Sequence, residues 1–588
     1  MTIPSSNRAG ITISTPMAPP QWALLERELF RAHVKACKEF YAKYYDERGY
    51  LQMVPRWGGN DGPDDAMESM VDWPTLHFLG GDDSLVTMYK HAWEGHLKQY
   101  TEAKTKDIDF ARDGMYYKEF PVMFDWQHNG EGLTVFNLQG LSDPYDTEFQ
   151  RRVKKYAGFY MNEDPQAPNY DPKHKIIRSS LNGSRGPMLR KATGLDWAGD
   201  PIEVEGRFKP RHHERTYAEM VAHYKDYNDV PGDHPQNMVS TGLGFHAYAL
   251  TGDPKYKAWV IEYVDAWLER MEKNGGIIPS NIGLDGVPGS AANGKWYGGV
   301  YGWSFTVVQP HDGKLANRNM VQLGLAGIGN AYQLTGDKKY PEAWAKMLDI
   351  INSNEKVVDG QKMYPSMYGE NGWYAFLPRK WNRGAEEVYY WTMDRKHLSR
   401  VDTTTGWYGF LEGNNPNFPV ESMQRDLLSI RQRVEGMRKD DTTADTRLSD
   451  DPMVYNPVFA RSLFALMMGG PTMTHARPVS ARLRYFDPAR RRAGIPEDCA
   501  ALIEKLADEE TVVTLINLSA SEDRTVVVQG GSYAEHQMAS VTVDGVTTPV
   551  NSSQVTINLG PVSGARMTIK MKRNCNPPTF TFPWDRKG

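Results

Sequence analysis

The sequence predicts a mainly helical protein, in which an (α/α) toroid of helical hairpins over residues 1–473 precedes an antiparallel β-sandwich domain over residues 474–588. Three observations predict this fold class. Apolar residues recur at helical spacing in the N-terminal part, one hairpin motif is repeated there, and short β-branched segments replace this pattern after Met473. With 588 residues, 40% of them hydrophobic, the chain can form two to four domains with a sizeable core.

Two stretches show the helical periodicity most clearly. From Gln21 to about Tyr45, large apolar and aromatic residues fall mostly at helical spacing. From Tyr256 to Met271, the apolar residues hold the i, i+3, i+4, i+7 pattern over several turns. Both stretches therefore predict long amphipathic helices that bury one face.

The repeated motif predicts how helices are connected. LTGDPKYKAW from Leu250 and LTGDKKYPEAW from Leu334 share an apolar helix end, a Gly-Asp turn, and a Tyr and Trp on the next helix; a weaker copy, LGGDDSLVTMYKHAW, starts at Leu79. Glycine suits the C-cap of the first helix, and aspartate begins the second. Repeated hairpins could also stack as an open solenoid, but the long loops rich in Gly, Asn, Trp and Tyr favour a toroid around one central site.

The C-terminal part has a different pattern. The segments TVVTLINLS, RTVVVQGG, ASVTVDG, SQVTINLG and ARMTIKMK are short, β-branched and largely alternating, and the turn signal Asp544-Gly545 lies between two of them. They predict the antiparallel β-sandwich. The Pro-rich tail CNPPTFTFPWDRKG is predicted to pack as an extended arm.

Composition excludes several classes of function. The 68 basic and 73 acidic residues give a net charge of −5 without a long basic run, so nucleic acid is not an expected partner. Three distant cysteines predict neither a disulfide framework nor a cysteine zinc site. No membrane partner is expected because no 18-residue apolar run occurs. The N-terminus lacks the pattern of a signal peptide, so the sequence does not predict a compartment; it would be secreted or periplasmic if such a peptide was removed. The oligomeric state is not predicted either.

The aromatic content points towards sugars. The chain has 16 Trp and 31 Tyr, the two aromatic residues that combine an apolar face with a polar group. Sugars present the complementary surface, with apolar C–H faces and hydroxyl rims. Packing between helices is expected to account for most of these residues, so only those beside glycines and charged groups are candidate ligand contacts.

The segment FDWQHNGEG, residues 124–132, is the first candidate site. Its polarity and its glycines are typical of a loop that presents side chains to a ligand. His128 and Asn129 are candidate catalytic residues, Trp126 is a candidate sugar contact, and Glu131 could be a general acid, a metal ligand or a residue that orients His128. The alternative is that His128 only hydrogen-bonds a turn.

Two further polar segments carry candidates. In RHHERTY, consecutive histidines on a helix diverge by about 100°, so one of His212 and His213 is expected in the site rather than both on one ion. In the loop that contains Asn182 and Gly183, Arg185 could pair bidentately with a carboxylate of a ligand, although a surface salt bridge is the alternative.

Aromatic residues near glycines add possible sugar contacts. KWYGGVYGWSF contains Trp296, Tyr297, Tyr301 and Trp303, and HDGKLANRN, which follows, supplies Arg318 as a fixed cation. Lower-ranked contacts with sugar hydroxyls are Tyr390 and Asn414. Ordinary hairpin packing is the alternative for all of these aromatic residues.

Metal binding is expected only as an option. The acidic stretches NDGPDD from Asn60 and SDPYD from Ser142 could bind a divalent cation such as calcium, but neither has the spacing of an EF-hand loop. Asp-Pro and Asp-Gly pairs are first of all turn formers. No cofactor is therefore required by the sequence.

A toroid followed by a β-sandwich resembles the architecture of several polysaccharide lyases, and similar toroids occur in glycoside hydrolases. FDWQHNGEG, the segment RRVKKYAGFYMNEDPQAPNYDPKHKIIRSSLNGSRGP from Arg151, and RHHERTY from Arg211 resemble the family of L-rhamnose-α-1,4-D-glucuronate lyases, which trim arabinogalactan side chains. This resemblance covers most of the predicted toroid. It implies β-elimination on an oligosaccharide or polysaccharide that contains a uronate.

Such a reaction needs three tasks: neutralising the uronate carboxylate, removing the C5 proton and protonating the oxygen that leaves C4. The catalytic residues that the resemblance implies are His128, Asn129, His213, Tyr301 and Arg318. His128 is expected as the base and Asn129 as a carboxylate-facing donor. Tyr301 is expected as the leaving-group acid, and Arg318 or Arg185 as the carboxylate partner. One alternative is a glycoside hydrolase, with Glu131 and either Asp125 or Asp143 as acid and base. The other is a non-catalytic glycan-binding protein, which would need aromatic platforms but no clustered His, Tyr and Arg.

Overall fold

The computed structural model describes residues 10–54, 62–105, 108–199, 214–471 and 475–586. The helices of this part, in chain order, are α1 Gln21–Tyr44, α2 Pro63–Glu68, α3 Trp73–Leu79, α4 Ser84–Glu102, α5 Trp126–Ser142, α6 Thr147–Gly158, α7 Gly194–Ala198, α8 Tyr217–Tyr224, α9 Thr241–Thr251, α10 Pro254–Lys273, α11 Leu325–Thr335, α12 Lys339–Asn352, α13 Ala385–Thr392, α14 Gly406–Leu411, α15 Phe418–Lys439 and α16 Arg461–Met468. None of the described helices is both long enough and apolar enough to cross a membrane.

The strands are β1 Gly10–Ile13, β2 Tyr116–Tyr117, β3 Phe120–Pro121, β4 Tyr170–Asp171, β5 Ile176–Ile177, β6 Thr306–Val308, β7 Leu315–Asn317, β8 Lys356–Val358, β9 Gln361–Met363, β10 Met367–Gly369, β11 Gly372–Tyr374, β12 Leu483–Asp487, β13 Arg492–Ala493, β14 Cys499–Leu506, β15 Glu510–Asn517, β16 Arg524–Gly530, β17 Gln537–Val543, β18 Val546–Ser552, β19 Gln554–Leu559 and β20 Ser563–Lys572. Strands β2 to β11 form two-stranded hairpins in the loops between helices. The chain is thus helical in its N-terminal part and mostly antiparallel β in its C-terminal part.

The predicted helices and hairpins are confirmed. Helices α1 and α10 span the two periodic stretches. Gly252 and Gly336 adopt the left-handed conformation at the ends of α9 and α11, with φ of 69° and 70°. The aspartate after each glycine accepts a hydrogen bond from the backbone N–H two residues further on. In each copy of the motif the Tyr and Trp of the second helix are buried: Tyr89 and Trp93, Tyr256 and Trp259, Tyr340 and Trp344.

The first and last long helices of the helical part are neighbours. Helix α1 packs along α15, and Glu39 forms an ion pair with Arg438, 2.6 Å from carboxylate oxygen to Nε. The hydroxyl of Tyr44 donates a hydrogen bond to the Oδ2 of Asp440 at 2.8 Å. Helices that are far apart in sequence therefore lie side by side.

The five segments predicted as strands are β15, β16, β17, β19 and β20, as expected. They belong to two five-stranded sheets, with orders β1-β19-β16-β12-β13 and β14-β15-β20-β17-β18. Strand β1 comes from the N-terminal end of the described chain and pairs parallel with β19. Sequence patterns did not indicate this pairing because GITI has no partner strand nearby in sequence.

The Pro-rich tail packs against the helical part. The Phe580 ring stacks on His246 of α9, with 5.7 Å between ring centroids, and its backbone N–H donates to the carbonyl of Ala249. A Cβ atom at Gly140 of α5 would overlap the Phe580 ring. The tail therefore links the C-terminal end of the chain to the helices.

Candidate functional site

The segment FDWQHNGEG is not the loop that the sequence predicted, because most of it forms the first turns of α5. Asp125 is the N-cap residue, and its Oδ1 accepts hydrogen bonds from the backbone N–H groups of Gln127 and His128 at 2.9 and 3.1 Å. This cap stabilises a helix in spite of two internal glycines.

Those glycines allow close approach of other segments rather than breaking the helix. A Cβ atom at Gly130 would lie 3.0 Å from the Cβ of His475, and one at Gly132 would lie 3.3 Å from the Cα of Asp64. Each internal glycine costs about 1 kcal/mol of helix stability relative to alanine. The helix therefore loses stability at two positions that bring distant polar residues next to His128.

The residues gathered at this turn are Asp64, Asp125, His128, Glu131 and His475, which we call the first-turn cluster. His128 Nδ1 lies 2.9 Å from Asp125 Oδ1, and Glu131 Oε1 lies 3.5 Å from His475 Nε2. Asp64, His128 and Glu131 each offer one ligand atom, and these atoms lie within 4.8 Å of one another. These three residues could therefore hold a metal ion.

Charges in the first-turn cluster control its protonation. Burial opposes a charge on His128, but the carboxylates of Asp125, Asp64 and Glu131 outweigh it and raise the pKa of His128 well above its ordinary value. Burial raises the pKa of Asp64 to about 7, although His128 opposes this shift. Burial also acts on Asp125, but the ring and backbone N–H of His128 outweigh it and lower the pKa of Asp125. The imidazole is thus held as a cation, which can donate a proton but not accept one.

Tyr301 and Arg318 form the second part of the site with Tyr227. The guanidinium of Arg318 lies over the rings of Tyr227 and Tyr301, 5.4 and 5.6 Å from their centroids, and donates to the Tyr227 hydroxyl. Arg318 has no carboxylate within ion-pair distance in the described chain. Tyr301 has a φ of 56°, a left-handed conformation that is strained for a residue with a side chain.

Tyr301 also links this group to the first-turn cluster. Burial raises the pKa of the Tyr301 hydroxyl well above its ordinary value; the charge of Asp125 adds to the shift and Arg318 opposes it. Tyr301 is therefore within electrostatic reach of Asp125 in the first-turn cluster, and Arg318 lies beside Tyr301.

Sequence reasoning missed two residues of this region. Asp64 lies in the stretch NDGPDD, which was considered only for calcium, and is buried in the short helix α2. His234 was not considered; it is buried and lies against Gly299. Burial lowers the pKa of His234 to about 4, although Val300 and the charges of Asp229 and Asp125 oppose this. Its position after Asp233 in a polar turn was the available signal.

Four expected site residues are buried and bonded to the protein instead. The indole N–H groups of Trp126 and Trp303 donate to Asn182 Oδ1 and to the carbonyl of Ile278, at 3.0 and 2.7 Å. Tyr390 donates to the carbonyl of Gly469, and Asn129 to that of Phe124. None of these four side chains faces a ligand here, since each is less than 5% exposed.

Other expected contacts lie apart from the cluster. Arg185 forms an ion pair with Asp113 and lies over the ring of Tyr117. This is the surface salt bridge that the sequence left as the alternative to a ligand contact. The side chain of Asn414 donates to the carbonyl of Thr403. Trp296 and Tyr297 are half-buried and pack with Tyr368. His212 and His213 lie outside the described residues.

The stretch SDPYD is structural. Asp143 and Asp146 both pair with Lys90, and Asp146 also caps α6. Asp143 follows α5, about 18 Å along the helix axis from Glu131 at ~1.5 Å per residue. A carboxyl pair of Glu131 with Asp143 is therefore excluded.

A second group with metal-ligand side chains consists of Glu342, Asp394 and His397, which we call the Glu342 group. Its charges are already compensated. Lys396 Nζ lies 2.8 Å from Glu342 and 3.3 Å from Asp394, and the Nδ1 of His397 lies 2.6 Å from a nitrogen of Arg400.

The chain belongs to the family described as Domain of unknown function (DUF8034), whose model matches residues 10–392. Curated proteins give no match. Similar solved structures include a D-mannose isomerase, with a TM-score of 0.36 and 11% identity, covering 66% of this chain and 86% of that one. A sugar epimerase from a ruminal bacterium has a TM-score of 0.33 and 12% identity, covering 64% of this chain and 84% of that one. An α-1,6-mannanase from Salegentibacter sp. HEL1_6 has a TM-score of 0.28 and 11% identity, covering 74% of this chain and 98% of that one. At such TM-scores these likenesses carry no argument about this chain.

Proposed function

We propose that this protein is a carbohydrate-active lyase that cleaves a uronate-containing glycan by β-elimination. The observation that carries this function is Arg318, a partly buried guanidinium between two tyrosine rings with no carboxylate partner in the described chain. A desolvated charge without a counter-charge is costly. A uronate carboxylate would supply that counter-charge and match the guanidinium bidentately.

The three tasks of elimination can be assigned within this region. Arg318 neutralises the carboxylate, which makes the C5 proton more acidic. A base in the first-turn cluster, His128 or Glu131, takes that proton; the C5–H electron pair forms the C4=C5 double bond, and the C4–O4 bond breaks. Tyr301, whose hydroxyl stays protonated, gives its proton to the leaving oxygen. Because the isolated cluster holds His128 protonated, the base role expected for it requires a change of charge when a ligand binds.

The sequence resemblance directs the choice of substrate. Rhamnosyl-glucuronate linkages of arabinogalactan side chains are the first substrates to test. The structure of such a linkage fits the assignment, since the glucuronate carries the carboxylate and its O4 carries the leaving sugar.

A glycoside hydrolase is the second candidate, favoured by the carboxyl groups of Asp64 and Glu131. Their closest ligand oxygens lie within 4.8 Å of each other. This separation is near the ~5–5.5 Å of the acid and nucleophile in retaining glycosidases. Asp125 does not fit this pair because it is fully buried and caps α5.

We also propose that the helical hairpins close as an (α/α) toroid around this region and that the two five-stranded sheets pack as a β-sandwich, with the division near residue 473. The contact between α1 and α15 supports ring closure. Buried residues on both sheets support a shared core: Val526, Val528 and Ile557 on one sheet, Val513, Leu515 and Ile569 on the other.

The test of function is ultraviolet absorbance during incubation with arabinogalactan oligosaccharides that end in rhamnosyl-glucuronate. Elimination produces a C4=C5 double bond conjugated to the carboxylate, so absorbance should rise with sugar release. Arg318→Met should abolish both signals, whereas Arg185→Met, which removes a surface ion pair, should not. Sugar release without a new chromophore would support the hydrolase instead.

A further inference from the structure

We propose that Asp64, His128 and Glu131 bind one divalent transition-metal cation, such as Zn²⁺ or Mn²⁺. The site goes beyond the proposed function, because cation binding needs no glycan. The two carboxylates and one imidazole each offer a ligand atom within 4.8 Å of the others. An imidazole among the ligands favours a transition metal over calcium, which prefers oxygen ligands alone.

The orientation of His128 is the first supporting observation. Its Nδ1 is 2.9 Å from Asp125 Oδ1, and the other ring nitrogen makes no hydrogen bond with a described residue. Histidine ligands of metals usually donate their second ring N–H to a carboxylate, which fixes the tautomer and the ring orientation. Asp125 is fully buried and placed by its own role as helix cap, so it can hold the ring in this way.

Asp64 is the second, independent observation. Its side chain lies in a residue only 5% exposed, and no ion pair or hydrogen bond joins its carboxylate to another described side chain. Its ligand oxygen nevertheless lies within reach of His128 and Glu131. Its own backbone N–H and the charge of His128 act favourably on this buried carboxylate, and a bound cation would stabilise it further.

The charge balance points the same way. Three carboxylates, Asp64, Asp125 and Glu131, surround one imidazole, with His475 at the edge of the cluster. No lysine or arginine forms an ion pair with these three carboxylates in the described chain. The Glu342 group shows the contrast, since Lys396 pairs with both of its carboxylates and Arg400 lies against the Nδ1 of His397.

The geometry requires only a small adjustment. Bonds of about 2.0–2.2 Å from a metal to nitrogen or oxygen place ligands of one ion roughly 3–4 Å apart. The Glu131 side chain is partly exposed, so a change of rotamer can bring its oxygen closer. The backbones are already close, because Gly132 lets α2 approach α5.

A bound cation would also change how the proposed elimination works, and only this consequence rests on the proposed function. It would occupy the lone pairs of His128 and Glu131 and lower the pKa of a bound water, which could then take the C5 proton as hydroxide. The uronate carboxylate would face two positive groups, the cation and Arg318.

Binding is tested on the full chain without glycan, after chelator treatment and dialysis. Calorimetric titration with Zn²⁺ or Mn²⁺ should show one site per chain. His128→Ala and Asp64→Asn should each weaken binding by a factor of about 100 or more, and Asp125→Asn by about 10–100-fold. The matched control, His397→Ala in the Glu342 group, should bind as tightly as the parent.

Co²⁺ gives a second readout of the ligands. Its visible absorption spectrum should appear on titration and disappear in His128→Ala. Where that variant does not fold, judged by circular dichroism, Glu131→Gln replaces it, because a partly exposed side chain tolerates the change. The absence of saturable binding, or binding that is unchanged in Asp64→Asn and Glu131→Gln, would overturn the site. Neither result depends on whether the protein cleaves a glycan.

Discussion

The first-turn cluster and the Glu342 group contain the same kinds of side chain in opposite surroundings. Both have two carboxylates and a histidine within 4.8 Å. In the Glu342 group Lys396 forms ion pairs with both carboxylates. In the first-turn cluster the only cationic partners in the described chain are imidazoles, and Asp64 is buried. The difference lies in the lysine partner, rather than in ligand type or spacing, and on this ground we choose the first-turn cluster as the candidate site.

The largest effect that tests this contrast is expected from His128→Ala. Turnover should fall by about 10²–10⁴-fold, the usual scale for losing a proton-transfer group, and loss of a metal ligand should act in the same direction. His397→Ala should leave turnover per folded protein unchanged. Initial rates and melting temperatures of both variants are the measurements. Similar losses in both variants would show that the two groups do not differ in function.

Tyr301→Phe should have the next largest effect. The phenylalanine keeps the ring beside Arg318 and Tyr227 but has no proton to give to the leaving oxygen, so kcat should fall by about 10²-fold or more with little change in KM. Steady-state kinetics separate the two constants. Tyr297→Phe, which removes a hydroxyl bonded to Glu370, is the matched control. A rise in KM with an unchanged kcat in Tyr301→Phe would place Tyr301 in binding alone.

Arg318→Lys should have a smaller effect. Lysine keeps the charge but loses the bidentate geometry, so kcat/KM should fall by roughly 10–100-fold, which corresponds to about 1.5–3 kcal/mol. The methyl ester of the same uronate keeps an acidic C5 proton but has no charge, so its kcat/KM should differ little between the variant and the parent. Equal losses on the free acid and on the ester would contradict a role in carboxylate recognition.

The smallest expected effect concerns Gly130 and the approach of His475. Gly130→Ala gains about 1 kcal/mol of helix propensity but forces the His475 backbone away, a change that typically costs about 1–3 kcal/mol. Stability to denaturant should therefore change little or fall slightly, while activity falls. In Gly158→Ala on α6, the nearest group is the flexible Glu163 carboxylate, so stability should hold or rise. Full activity in Gly130→Ala would show that the approach of His475 is not needed.

The hairpins were predictable because their signals are local. Gly252 and Asp253 determine a helix end and a helix start within two residues, and so do Gly336 and Asp337. The buried Tyr and Trp that follow reveal which face packs inward. The β-segments were predictable for the same reason, except β1, whose partner β19 lies at the other end of the chain.

The candidate site was predictable only in part, because its contacts are long-range. FDWQHNGEG drew attention to His128 and Glu131, but Gly130 and Gly132 indicated a loop, whereas their neighbours are His475 and Asp64. No local pattern shows which distant residue approaches a glycine. For the same reason Trp126 and Trp303 looked like sugar contacts, although both indoles donate inside the core.

The central claim, elimination on a uronate, is tested most directly by the fate of solvent oxygen. The protein is incubated with a rhamnosyl-glucuronate oligosaccharide in water enriched in the heavy oxygen isotope, and the masses of the products are measured by mass spectrometry. Elimination predicts rhamnose with no heavy oxygen and a uronate product lighter than the hydrolysis product by one water. Heavy oxygen in either product at the cleaved bond, with a saturated uronate, would contradict elimination and establish hydrolysis.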